Sequence, residues 1–307
     1  MGSAVHRFSS PSLAQWRTST PSCESGSVMR SSLLSIAKRT YYATSSQSLR
    51  KMYYDLFARL VRNRHAIVEV DGARFELDLG EDIDLRLYLH QFEPDVALAL
   101  RRETKPGMTV VDIGANIGAH TMLLASLVGP QGRVIAFEPT DYGWRKLQRN
   151  LSLNTISWIV PVKAALSDRH VPEQRVDFRA SWRTEGGRKD GESIVDFLRL
   201  DDWCAERGIN SIDVIKIDVD GNEYSALLGA RSIVSRSLPR FVMEAMWVHF
   251  ADDARNPFRF LQDLGYSFHD LRTREGLSLA ELRARLPEHD PGLTVSTNVL
   301  ALGPSSH

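Results

Sequence analysis

At 307 residues, with 43% hydrophobic and 25% charged side chains, the chain has a globular composition and room for one large domain or two small ones. Lys+Arg and Asp+Glu balance at 38 each, which argues against a broad nucleic-acid-binding face. Cys23 and Cys204 have no Cys or His partner at metal spacing, which argues against a disulfide scaffold or zinc centre, and no apolar run is long enough to span a bilayer.

Residues 1–50 are rich in Ser, Thr and Arg, and Glu24 is their only acid. They read as a disordered tail on a cytoplasmic protein, or as a targeting segment for a mitochondrial or plastid one. From Met52 to Arg64, Tyr53, Leu56, Phe57, Leu60 and Val61 recur at helical spacing. Asp71-Gly72 between two alternating runs, 66–70 and 74–79, predicts a hairpin. Helices are expected over 84–90 and 95–103, on either side of Phe92-Glu93-Pro94.

Pro106-Gly107 then introduces a short apolar strand ending at Asp112-Ile113. A turn with Gly114 and Gly118 follows, and then a helix that Gly129-Pro130 stops. A second strand, 133–137, ends at Glu138, and Asp141 is expected to cap the next helix. A third strand covers 156–162. Residues 169–192 are polar and Gly-rich, and read as a substrate loop or an exposed hairpin. Further strands are expected over 193–200, 212–218, 240–244, 266–271 and 297–302, with helices at 201–203, from Gly221-Asn222-Glu223, and over 258–264. This alternation implies βαβ units and a parallel sheet covered on both faces.

Asp112-x-Gly114-x-Asn116-x-Gly118 joins a strand to a helix N-terminus, with Glu138 about twenty residues on. Such a turn binds a nucleotide-like ligand, and an acid ending the second strand can accept hydrogen bonds from both ribose hydroxyls. The dehydrogenase pattern Gly-x-Gly-x-x-Gly is absent, and Asp112 stands where a pyrophosphate binder avoids charge. An acid there suits a ligand with an ammonium or sulfonium group, such as S-adenosylmethionine. A nicotinamide-dependent oxidoreductase and a non-catalytic cofactor-binding partner protein are the alternatives.

Phe92-Glu93-Pro94, Val111-Asp-Ile-Gly-Ala-Asn-Ile-Gly118, Ala136-Phe-Glu-Pro139, Ile215-Lys-Ile-Asp-Val-Asp-Gly-Asn-Glu223, Leu228-Gly-Ala230 and the strand with Glu244 stand together in order over residues 85–302. As a set they resemble class I S-adenosylmethionine-dependent methyltransferases of the FkbM family. The resemblance implies that Asp112, Gly114 and Gly118 border the methionine part of the cofactor, with Asn116 in the same turn. It implies that Glu138 holds the ribose, that Ala165 and Leu166 border the adenine within reach of Asp168, and that Asp218 lies beside the transferable methyl. Glu93 is expected to face the pocket. Two departures from the family pattern are Asp220, often Glu, and His120, often aromatic.

The acids Asp218, Asp220 and Glu223 surround a strand-to-helix turn. Lining the site is expected of Asp218 and helix capping of Asp220, while Glu223 fits either role; a metal site is not expected. Asp218 is the first candidate for acceptor positioning or proton removal, followed by His120, Glu244 and His249. The fold expected is α/β: a Rossmann-like seven-stranded methyltransferase sheet over residues 106–303, last strand antiparallel, preceded by a small helix and hairpin extension over 51–105. The activity implied is O-methylation of a hydroxyl on a small molecule or glycan, with S-adenosylmethionine as cofactor and neither nucleic acid nor a membrane span involved.

Overall fold

In the computed structural model, which describes residues 47–182, 188–288 and 295–304, the apolar runs assemble into one central sheet. The tail or targeting segment lies almost entirely outside the described residues. The chain divides into two compact units, residues 1–57 and 58–307. Of the first, the described part belongs to helix α1 (Gln47–Val61). The second holds everything that follows. Among the described residues no helix is long and apolar enough to cross a membrane.

Strands β1 (His65–Val70) and β2 (Ala73–Asp78) form the anticipated hairpin. Its turn residues Asp71 and Gly72 both take positive φ, 54° and 80°, as a two-residue turn that follows the strand twist requires. Helices α2 (Asp82–Tyr88) and α3 (Pro94–Glu103) then lead to the sheet. The central strands are β3 (Thr109–Ile113), β4 (Arg133–Phe137), β5 (Ile159–Val162), β9 (Val214–Ile217), β10 (Arg240–Met246), β11 (Ser267–Asp270), β12 (Gly276–Leu277) and β13 (Ser296–Leu302). Their spatial order is β12-β11-β13-β10-β9-β3-β4-β5. The run from β10 to β5 is parallel, and β13 is antiparallel to both of its neighbours. The seven expected strands are present in this arrangement. The eighth, β12, is a two-residue edge strand, too short to leave a periodic pattern.

The chain order breaks beside β3, which pairs with β4 on one side and β9 on the other. In an open α/β sheet such a switch leaves a crevice beyond the strands' carboxyl ends. Val111, Ile113, Ile135, Phe137, Ile215, Ile217 and Met243 belong to one buried core with Trp203, Leu227, Val234 and Phe258. The period-two alternation of a strand puts Val110, Asp112, Val134, Ala136, Val214 and Lys216 on the opposite face, where they are also buried. Two charged residues thus occupy interior positions of the sheet.

Of the two alternatives for residues 169–192, the structure takes the hairpin and not the irregular loop. They form β7 (Val171–Trp182) and β8 (Arg188–Leu198), paired in a separate three-stranded sheet with β6 (Ala165–Leu166); residues 183–187 lie outside the described residues. Pro172 to Arg175 are exposed, so no buried face imposed an apolar alternation on the sequence there. The expected strand at 193–200 pairs in this sheet instead of the central one. Helix α5 (Asp141–Ser152) is capped by Thr140, whose hydroxyl accepts from the Gly143 amide at 3.0 Å, with Asp141 in the first turn instead of at the cap.

α2 is fastened to α5 by Asp84, which is fully buried and accepts hydrogen bonds from Lys146 Nζ and, at 3.1 Å, from the Asp78 amide. Burial pushes the Asp84 carboxyl above its usual range, and Lys146 opposes that push only in part. Removing the cation strands the carboxylate, so Lys146→Met is expected to lower stability by about 3–5 kcal/mol, and Lys146→Met with Asp84→Leu to recover much of the loss. Urea denaturation of the three proteins checks this.

Candidate active site

A cleft of about 810 Å³ opens at the carboxyl ends of the central strands. Its walls come from Gly114–Ile117 after β3, Glu138 after β4, Ala165 and Leu166 of β6, Asp218 and Asp220 after β9, and Glu244 and Met246 of β10. Glu93 and His120 close one side, the latter from helix α4 (Ala119–Val128).

Lys216 lies at the floor. It is the only charged residue in Val214-Ile-Lys-Ile217, and its register partner on β3 is Asp112, so the two side chains share a face. Lys216 Nζ donates to the Gly114 carbonyl at 3.0 Å and lies 3.6 Å from Asp112 Oδ1 and 3.4 Å from Asp218 Oδ2. Burial pulls the ammonium pKa down, but Asp218, Asp112 and Glu93 outweigh it and hold Lys216 above its ordinary value. The ammonium is therefore charged across the physiological range.

The cleft brings together most of the residues singled out from the sequence. Glu93, Gly114, Asn116, His120, Glu138, Ala165, Leu166, Asp218 and Glu244 all line it. Asp112 does not. It is fully buried behind the floor, accepting from Thr121 Oγ1 at 2.6 Å and facing Lys216, so its charge is answered within the protein. Gly118, with φ of 88°, starts α4 without lining the cleft; a Cβ there would lie 2.7 Å from Leu147, so the glycine lets α4 and α5 pack. Gly114, with φ of 83°, does line the cleft, yet a Cβ on it would meet the Asp218 carbonyl at 2.0 Å. Its bare face admits the end of β9. Asp168 is exposed and does not line the cleft, but it accepts from the hydroxyls of Ser167 and Ser225, which do. His249 is buried away from the cleft against Glu223.

Glu138 is buried and nearly fully engaged. Oε1 accepts from the Thr140 amide at 2.9 Å and hydroxyl at 2.5 Å, and Oε2 accepts from the Asn116 amide at 2.7 Å. Burial raises its pKa against those three donors. Oε2 keeps capacity for a further donor from a ligand.

Glu93 and His90 both hold left-handed backbone, φ 38° and 51°, a strained pair that fixes the loop carrying Phe92. The Phe92 ring lies 5.1 Å from that of His120, and Glu93 Oε2 lies 3.6 Å from His120 Nδ1. Burial, helped by Lys216, lowers His120 to about 3, so it is neutral and a poor general base. Its Nε2 is buried without a hydrogen-bond partner. Burial and the nearby Asp218 carboxylate push Glu93 up to about 7. Burial, then Asp218 and Glu223, push Glu244 up to about 10, which favours its neutral form; its Oε2 also lacks a hydrogen-bond partner.

Sequence reasoning quoted Phe92 and Lys216 within the motifs but gave no site role to them or to Met246 and Ser296, all of which line the cleft. Only Lys216 left a trace, as a lone charge inside an apolar strand.

The fold is a Rossmann-like α/β sheet with a cleft at its switch point, and the family its sequence matches makes it a methyltransferase. The chain belongs to the Methyltransferase FkbM domain family, whose pattern matches residues 112–268, just over half of its length. It is 27% identical over 218 residues to 2-O-methyltransferase NoeI of Sinorhizobium fredii, covering 61% of this chain and 86% of that protein. It is 29% identical over 185 residues to 31-O-demethyl-FK506 methyltransferase FkbM of Streptomyces tacrolimicus, covering 50% and 69%. Among solved structures it is similar to the methyltransferase FkbM from Methylobacillus flagellatus KT, at 18% identity and a TM-score of 0.41, covering 90% of this chain and 60% of that one.

Glu93 carries a pH signature. Its folded pKa, about 7, lies above the ordinary 4.5, so the folded state binds a proton that the unfolded chain has released. The stabilisation this brings is complete below pH 4.5 and is lost as pH rises through 7. The melting temperature of wild type is therefore expected to fall relative to Glu93→Gln between pH 5 and 8, measured by thermal scans of both proteins.

Proposed function

We propose that this methyltransferase uses S-adenosylmethionine and methylates a hydroxyl oxygen of a small molecule or sugar. The observation that carries the reading is the acid excess of the cleft. Asp82, Glu93, Glu138, Asp218 and Asp220 line it, against Arg86 and Lys216, with Glu244 held neutral beside them. Such a surface attracts a ligand bearing sulfonium and ammonium groups and repels a pyrophosphate. The residues present fit the cofactor. Glu138 Oε2 is available to a ribose hydroxyl, and Phe137, Ala165 and Leu166 offer apolar walls to a purine. Two relatives are named for methyl groups on oxygen, 2-O-methyltransferase NoeI and 31-O-demethyl-FK506 methyltransferase FkbM.

When bound, S-adenosylmethionine supplies a methyl group already activated by the sulfonium charge. What remains for the chain is to align the acceptor, exclude water and take up one proton. Asp218 is the residue for the proton: it ends β9 in the cleft and is oriented by Lys216 at 3.4 Å. Glu244, held neutral, donates a hydrogen bond from its unpartnered oxygen to a second oxygen of the acceptor. His120, neutral and 6% exposed, contributes a wall and one ring nitrogen, not a base.

Titration calorimetry and turnover test this. Glu138→Ala is expected to weaken S-adenosylhomocysteine binding by about 10-fold or more, the worth of a hydrogen bond to a charged group. Asp218→Asn is expected to bind it nearly as wild type but to lose about 100-fold in kcat. Tight binding of NADH with none of S-adenosylhomocysteine would overturn the reading.

A further inference from the structure

Glu223 and His249 stand 26 residues apart and are both fully enclosed, with side chains 0% and 2% exposed. Neither lines the cleft, yet they form a continuous bridge behind it. The Met246 amide donates to His249 Nδ1 at 3.1 Å. That bond leaves the ring proton on Nε2, which faces Glu223 Oε2 at 2.5 Å. Glu223 Oε1 in turn accepts from the Val219 amide at 2.9 Å. The Phe258 ring packs edge-on against His249 at 5.7 Å and fixes it from the side.

The position of this bridge is what gives it meaning. β9 and β10 pair in parallel only as far as Ile217 and Met243. Beyond that point Asp218 and Val219 on one strand end, and Glu244 and Met246 on the other, line the cleft without backbone hydrogen bonds between them. The bridge spans the two chains where the ladder stops, joining Val219 to Met246. Two buried, hydrogen-bonded polar groups at that place cost desolvation that an apolar pair would avoid, and the geometry they impose is the return on it.

We propose that Glu223 and His249 are a positioning pair for methyl transfer: together they set the spacing of the strand ends that carry Asp218 and Glu244. They act through those residues and touch neither cofactor nor acceptor. The proposal rests on the assignment of Asp218 and Glu244 to the acceptor end of the cleft. The cofactor end is built on β3, β4 and β6 and does not depend on the bridge.

Glu223→Gln is nearly isosteric, but its single amide oxygen cannot accept from both the Val219 amide and His249 Nε2–H. His249→Gln removes the ring and its second nitrogen. Each is compared with wild type in three measurements. Amide hydrogen exchange is expected to accelerate at least 10-fold at Val219 and Met246 while β3 and β4 stay protected. The affinity for S-adenosylhomocysteine is expected to stay within about 2-fold. With the most reactive of a panel of methyl glycosides, kcat is expected to fall about 10- to 100-fold with KM for S-adenosylmethionine little changed, as misalignment of reacting groups predicts. Uniformly raised exchange with lost cofactor affinity would mean a merely structural pair, and unchanged exchange at both amides would mean no clamp; either overturns the proposal. If wild type turns over no glycoside, the sugar part of the acceptor reading fails on its own, and the exchange pattern still decides for or against the bridge.

Discussion

The site is organised by one buried ammonium. Lys216 sits inside a parallel strand, where desolvation opposes its charge, and it is kept only because Asp112, Asp218 and the Gly114 carbonyl close around it. Asp112 is placed by strand register, Gly114 by the turn that follows β3, and Asp218 by the end of β9. The ion-pair set therefore ties together the two strand ends between which the cleft opens. It also accounts for the glycine at 114, whose missing Cβ lets the Asp218 carbonyl come close.

The same electrostatics sorts the remaining titratable groups into roles. Burial, with Lys216 adding to it, makes His120 hard to protonate, and burial, with the neighbouring acids adding to it, makes Glu93 and Glu244 hard to ionise. Glu244, buried and facing other carboxylates, keeps its proton and can donate a hydrogen bond into the cleft. A cationic ligand entering the cleft relieves the mutual repulsion of the acids, so binding and charge balance favour each other.

The cleft also has two ends that are made differently. On the β3–β4 side its geometry comes from backbone: continuous strand pairing, the turn at 114–118, and amides that hold Glu138. On the β9–β10 side β9 ends at Ile217 while β10 runs on to Met246, and side chains join the two beyond that row. The Glu223–His249 bridge and the antiparallel β13 fix that half. A part that holds one common ligand can be built from main chain, whereas a part facing varied acceptors depends on residues that can change singly.

Local chemistry was enough for the elements whose signal is short-range. The Asp71-Gly72 hairpin, the apolar strands that end at Asp112, Glu138 and Asp218, the βα turn at 114–118 and the alternation that requires a mostly parallel sheet are legible because period, turn residues and acids stand next to one another in the chain. Tertiary structure alone decided the rest. Whether residues 169–192 form a loop or a hairpin stayed open in the sequence, and β12 is too short for a pattern. Gly118 proved to serve the packing of α4 on Leu147, and Asp112 to serve Lys216 across a strand pair, 104 residues away in the chain. Glu223 read as a site-lining or helix-start acid and His249 as a candidate base, until the fold buried both behind the cleft and set them 2.5 Å apart. Sequence determines which residues can be charged, bent or buried. Which charge answers which is a property of long-range register and of burial, and these exist only once the sheet has formed.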